Sequence, residues 1–226
     1  MTTLYHFWSD FPSQRLRLAL GAKGVAYEDR PLAYHDDETF FELGTARQVP
    51  ILQLDDGTLR TDSLALLWEI DDLFPGGEKL VAGRIDRPAW DALLEWRRQA
   101  GPVLDRLYAP ARPAYHDIGG DEEAMSAYKA EVEQRYGMSL EALANDRYSG
   151  YAQLERLSRL PELAGYLAEY RFYMGALSIA DCVLAADLYP LQVLDGLTLP
   201  VNLMYYLRRV EETCHCSLRD GLMASV

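Results

Sequence analysis

The chain is short of cysteine and of positive charge, and it contains no long apolar run. Three cysteines occur in 226 residues, Cys182, Cys214 and Cys216. An odd count offers no even disulfide framework and fits a reducing, cytoplasmic compartment. Cys214-His215-Cys216 is too tightly spaced for the usual zinc ligand sets and has no second cluster to support it, so no metal is expected. Basic residues number 22 against 35 acidic ones, a net charge of −13. Nucleic acid and anionic membranes are bound through basic patches, so neither is an expected partner, and a small anionic ligand would need a local exception to the overall charge. Met1-Thr2-Thr3-Leu4 runs straight into a strand-like segment without a basic leader, and no apolar stretch reaches the roughly eighteen residues of a membrane span, which predicts a soluble protein.

What is present points to two domains, which this length accommodates. Leu4 to Trp8 reads as a buried strand. Leu16, Ala19, Leu20 and Lys23 follow helical spacing from Pro12 on, with Lys23-Gly24 as the stop. Val25 to Leu32 reads as a second strand, and Asp36 to Leu43 as a loop or short helix. Ile51 to Leu54, the turn Asp55-Asp56-Gly57 and the return Thr58 to Arg60 predict a hairpin. Leu66, Leu67, Ile70, Leu73 and Phe74 then form the apolar stripe of a helix that begins at Asp62-Ser63. Val49-Pro50 precedes the hairpin, and a cis bond there would turn the preceding backbone outward for an extended ligand to pair with. The head of the following helix offers a hydroxyl, a carboxylate and unpaired N–H groups, which suits a carboxylate ligand.

Phe74-Pro75-Gly76-Gly77 ends that helix, and the predicted organisation is a first domain over 1–76, a linker over 77–85 and a second domain over 86–226. Beyond the linker only helical periods recur. One starts at Asp86 and carries Trp90, Leu93, Leu94, Arg97, Leu104 and Leu107. Another starts at Asp121 with Met125, Tyr128, Val132 and Tyr136 inward, and a third spans roughly Tyr151 to Leu157 before Pro161 interrupts it. Ser178-Ile179-Ala180-Asp181 has the pattern of a capping box, flanked by Leu177 and Cys182 as a hydrophobic staple, so Cys182 is expected in the core.

Val49-Pro50-Ile51-Leu52, the acidic turn and Thr61-Asp62-Ser63 ahead of an amphipathic helix resemble the glutathione-binding half of the glutathione transferase superfamily. The β-α-β-(α)-β-β-α order is that of its thioredoxin-like domain, and Ser178-Ile179-Ala180-Asp181 extends the resemblance into the second half. Within the superfamily the wording of Asp36-Asp37-Glu38-Thr39, Arg47 to Gln53 and Leu80-Val81-Ala82-Gly83-Arg84 is most similar to the two-domain glutaredoxin-2 type. The helical half is comparable mainly in helix order and in the closing Leu218 to Ser225 segment.

The resemblance implies a thioredoxin-like α/β N-terminal domain with an all-α C-terminal domain. It implies glutathione as co-substrate and a small hydrophobic electrophile or peroxide as second substrate. Oligomeric state stays open between the homodimer common among transferases and the monomer general in the glutaredoxin-2 type. It also implies that Val49 pairs its backbone with the cysteinyl unit, that Asp62 takes the γ-glutamyl ammonium, and that Ser63 takes the γ-glutamyl carboxylate. Gln48 or Arg47 would reach the glycyl carboxylate.

The catalytic turn, Trp8 to Arg15, departs from the family. Asp10 stands at the position of the first glutaredoxin cysteine and Ser13 at that of the second, which excludes dithiol reduction through this turn. A transferase instead donates a hydrogen bond to the glutathione sulfur, favouring a thiolate whose unperturbed pKa is ~8.5. An ionised Asp10 only accepts hydrogen bonds and repels a thiolate, which leaves the hydroxyls of Ser9 and Ser13 as donors, with Tyr5 a further candidate. Asp10 equally suits a helix N-cap. Two functions follow: a glutathione transferase, or a catalytically silent protein of the same fold that binds a ligand or partner. The electrophile site is expected between the domains near Tyr108, Tyr115 and His116.

Overall fold

The computed structural model describes residues 1–223, and all side chains among them except those at 157 and 158. The predicted closing segment therefore falls within the described residues only up to Met223.

β1 (Thr3–His6) is buried along its whole length and leads into α1 (Phe11–Ala22), with Pro12 in its first turn and Lys23 at its end. β2 (Glu28–Pro31) lies parallel to β1. It is shorter than the strand predicted over 25–32, because the Val25 N–H is still bonded to the Leu20 carbonyl at the end of α1. α2 (Glu38–Leu43) is followed by the hairpin of β3 (Ile51–Gln53) and β4 (Leu59–Arg60). Its turn depends on Gly57, whose φ of +85° suits glycine. The sheet order is β2-β1-β3-β4, and α3 (Ser63–Leu73) closes this half.

The second half is helical: α4 (Arg87–Tyr108), α5 (His116–Gly119), α6 (Glu122–Tyr136), α7 (Leu140–Asn145), α8 (Arg147–Ser158), α9 (Leu160–Glu169), α10 (Ile179–Leu188) and α11 (Val201–Cys214). The carboxylates of Asp86 and Asp121 cap α4 and α6 by accepting first-turn N–H groups. Pro161 opens a helix instead of interrupting one. It lies in the first turn of α9, where its missing N–H has no intrahelical acceptor to lose, and the chain breaks at Arg159 with φ +48°. No described helix is long and apolar enough to cross a membrane.

One core joins the halves. Leu16, Leu18, Ala19 and Leu20 of α1 are fully buried, and the helix packs on α3 at one side and on α10 and α11 at the other. Gly21 makes the last approach possible, since a Cβ there would stand 2.1 Å from the Cys214 carbonyl oxygen. The stretch between α3 and α4 is tied down by Asp71, which accepts N–H bonds from Leu80, Val81 and Ala82 and pairs with Lys23 Nζ at 3.0 Å. Burial opposes the Asp71 charge, but these donors outweigh it and hold the carboxyl well below its ordinary value. α10 begins with the Ser178/Asp181 capping box, and Cys182 is fully buried in the core.

Candidate functional site

Sheet register decides what meets at the end of β1. β3 pairs with β4 through Leu52↔Arg60 and Gln53↔Leu59, so continuing that register brings Val49-Pro50 alongside Asp62-Ser63. β1 pairs with β3 through Tyr5↔Ile51, and the same continuation brings Phe7 and the turn after it beside Val49. The head of α1, the Val49-Pro50 loop and the head of α3 therefore share one edge. The Val49-Pro50 peptide is cis, and the Val49 N–H and C=O have no hydrogen-bond partner among the described residues.

At the head of α3, Asp62 is exposed and uses Oδ1 to accept from Leu64 N–H at 3.0 Å and Ala65 N–H at 3.1 Å, leaving Oδ2 free. Ser63 is buried in the first turn, and neither its hydroxyl nor its N–H has a partner among the described residues. Gln48 is exposed with a side chain that engages nothing described. Arg47 is held elsewhere: it donates to the Tyr34 carbonyl, pairs with Asp37 at 2.9 Å, lies 3.7 Å from Glu131 and sits over the Tyr34 ring.

At the Trp8–Arg15 turn the N-cap reading of Asp10 holds, whereas the hydroxyls of Ser9 and Ser13, expected as free donors, are both taken by carboxylates. Asp10 caps α1, accepting from Ser13 N–H at 2.8 Å and Ser13 Oγ at 2.5 Å. Ser13 is fully buried, so its hydroxyl proton goes to Asp10 and not to a ligand. Burial raises the Asp10 carboxyl above its ordinary value, while the Ser13 bonds and the charges of Arg112 and Arg15 pull it back. Ser9 is also buried and donates from Oγ to Asp117 Oδ2 at 2.6 Å and from its N–H at 3.2 Å. Burial pushes Asp117 up to about 6 against those two bonds, and its Oδ1 has no partner. Tyr5 donates to Gln53 Oε1 at 3.3 Å within the sheet and does not face the turn's free edge.

Asp117, Arg112 and Arg15 stand beside this turn, and no local pattern in the sequence marks them. Arg112 lies over the Phe11 ring at 5.1 Å and pairs with Asp105 at 2.8 Å. Arg15 pairs with Asp187 at 2.6 Å, and Arg97 takes the other oxygen of Asp187 at 2.5 Å. Of the residues expected at the electrophile site, Tyr108 is buried and donates to the Asp187 carbonyl at 2.8 Å, Tyr115 is buried, and His116 is exposed. Behind the turn, the closing segment folds over Trp8. A Cβ on Gly221 would stand 2.1 Å from the indole, and the backbone there has φ +78°, so both space and conformation require glycine.

Cys214 and Cys216 pack against Gly21 near the C-terminal end of α1, and Cys182 lies in α10. Cys182 is raised by its hydrogen bond with Cys214 and by burial, and burial pushes Cys216 up to about 12, so neither is a ready thiolate. Among the described residues no three His, Cys, Asp or Glu side chains are grouped to hold a metal ion.

A thioredoxin-like sheet with a cis-proline loop, followed by a helical half built on α4 and α10, defines a protein of the glutathione transferase superfamily. Residues 92–221 match the family described as Glutaredoxin 2, C terminal domain, and residues 12–73 match Glutathione S-transferase, N-terminal domain. The chain belongs to the glutaredoxin-2-like branch of that superfamily.

Solved structures with the same fold include glutaredoxin 2 of Salmonella typhimurium in complex with glutathione, at 21% identity over 99% of both chains with a TM-score of 0.81. A glutathione S-transferase of Ceriporiopsis subvermispora in complex with glutathione follows at 18% identity, covering 95% of this chain and 98% of that one with a TM-score of 0.71. The glutathione transferase GSTFuA2 of Phanerochaete chrysosporium matches at 16% identity over 96% and 99% with a TM-score of 0.69. No curated protein sequence is matched.

Proposed function

We propose that this chain binds glutathione along Val49-Pro50 and the head of α3, and transfers its thiolate to a small electrophile or uses it to reduce a small peroxide, without a protein thiol or a metal. The observation that carries the reading is the edge where unpaired Val49 backbone, the unpartnered Ser63 hydroxyl and N–H, and a free Asp62 oxygen lie side by side. An extended peptide pairs with the first, its γ-glutamyl carboxylate with the second and its ammonium with the third. A buried carboxylate contact of this kind contributes ~1.5–3 kcal/mol, so Ser63→Ala is expected to weaken glutathione binding roughly tenfold or more. Calorimetric affinity unchanged in both Ser63→Ala and Asp62→Ala would remove the site.

Asp10 sets how much chemistry follows. With the Ser9 and Ser13 protons donated to Asp117 and Asp10, the sulfur's activation falls to the N-terminus of α1 and the nearby guanidinium groups, acting against the Asp10 charge. Asp10→Ser keeps a cap, removes that charge and is expected to lower the pKa of the bound thiol by about one unit. The ultraviolet thiolate absorbance of bound glutathione, titrated against pH, reads this directly. A thiol already ionised below neutral pH and unmoved by the substitution contradicts it.

The same two occupied hydroxyls favour a second reading, a silent protein that holds glutathione without turnover. Rates with generic electrophiles measured beside the affinity separate the two readings.

A further inference from the structure

Phe11, immediately after Asp10, forms one wall of a cleft of about 150 Å³ between α1 and α4. At ~30 Å³ per water this holds about five waters, the size of a single small ring and well below the ~300 Å³ at which clefts for drug-sized ligands begin. Trp96, Leu104 and Tyr108 make its apolar faces, and Phe11 and Tyr108 already meet edge to face at 4.9 Å. A flat ring suits such walls.

The polar wall is made by two arginines, Arg15 and Arg97, and two aspartates. Each aspartate lies between two arginines: Asp187 between Arg15 and Arg97, and Asp105 between Arg112 and Arg135. Arg15 and Arg97 balance the two carboxylates of the lining, and Arg112 and Arg135, which pair with Asp105 from outside the cleft, add positive charge behind it. Arg15 is the least satisfied of these groups. It is 6% exposed, gives only Nη2 to Asp187, and its buried Nε–H has no acceptor. A buried guanidinium with donors left over calls for a further oxygen acceptor.

We propose that the second substrate is a small planar electrophile carrying a carboxylate, seated in this cleft with the carboxylate on Arg15 and its reactive carbon toward the sulfur at Asp10. This rests on the transferase reading and supplies the local exception that an anionic ligand requires in a chain of net charge −13. Arg15 is then a specificity-determining residue, because an uncharged ring of the same shape leaves its donors unmet.

The probes are benzoate and its neutral isostere benzamide, titrated calorimetrically into the full chain with and without saturating glutathione. Benzoate is expected to bind about tenfold more tightly, the scale of one charge-assisted hydrogen bond. Arg15→Lys keeps a cation for Asp187 but loses the fork, and is expected to erase most of that preference. Gly101→Leu serves as the second variant. Gly101 lines the cleft within α4, and a Cβ there meets nothing within 4 Å. Leucine fills the space and favours the helix, so binding of both probes is expected to vanish while the melting temperature and glutathione affinity hold.

Equal affinity for the two probes, a preference that survives Arg15→Lys, or benzoate binding that survives Gly101→Leu overturns the proposal. Absent glutathione binding with benzoate behaving as expected would instead count against the transferase reading and leave the carboxylate subsite standing.

Discussion

Asp181→Ala is expected to destabilise the chain by about 4 kcal/mol. Asp181 is fully buried at the start of α10, and its two oxygens serve four donors. Oδ1 accepts from the Tyr173 N–H at 2.8 Å and the Tyr206 hydroxyl at 2.9 Å. Oδ2 accepts from the Ser178 N–H and hydroxyl, both at 3.0 Å. Alanine strands three of these donors away from water, each at a cost of about 1–3 kcal/mol, and leaves a small void. Ser178→Ala removes one bond and the cap, with an expected cost of ~0.5–2 kcal/mol. Urea unfolding of the two variants checks the ranking. The structural role further requires that glutathione affinity survive in whatever folded fraction remains, and a stable Asp181→Ala protein with lost affinity would contradict it.

The second large effect depends on pH and concerns Asp117. Burial raises its carboxyl to about 6 in the folded chain from an ordinary 3.8. Below the unfolded value the group is protonated in both states and does not oppose folding. As pH rises through the folded value the native state must hold a buried charge that the unfolded chain carries in water, and stability falls. Two pH units of displacement correspond to about 3 kcal/mol at most. Asp117→Asn keeps an acceptor for Ser9 and abolishes the titration. Its stability relative to the native sequence should therefore improve by about 3 kcal/mol between pH 4 and 7. Parallel pH profiles of the unfolding midpoint for the two proteins would show that Asp117 does not titrate as its surroundings require.

What the sequence disclosed and what it withheld divide by distance along the chain. Asp62, Asp86, Asp121 and the Ser178/Asp181 pair were readable as helix starts because a cap and its helix are neighbours, and each caps a helix. The hairpin and the thioredoxin-like order were readable for the same reason. Ser9 with Asp117, and Arg15 with Asp187, are 108 and 172 residues apart, and no periodicity carries such a pairing. Ser9 and Ser13 therefore appeared as free hydroxyls, whereas folding supplies each with a carboxylate. Pro161 shows a local ambiguity, since a proline marks the end of one helix and the first turn of the next equally well.

The dense packing of α1 between α3 and the last two helices has a consequence for the order in which the chain is made. Residues 8 to 17 leave the ribosome before Asp117, Asp187 and Asp220, which receive Ser9, Arg15 and Arg17. Until then α1 carries Arg15 without its Asp187 partner, Arg17 with only Asp29 at 3.6 Å, and an apolar face without its cover. The turn at the head of α1 is thus synthesised well before the segments that complete it, and a chain truncated before residue 220 would lack the Asp220 partner of Arg17 and the Gly221 contact over Trp8.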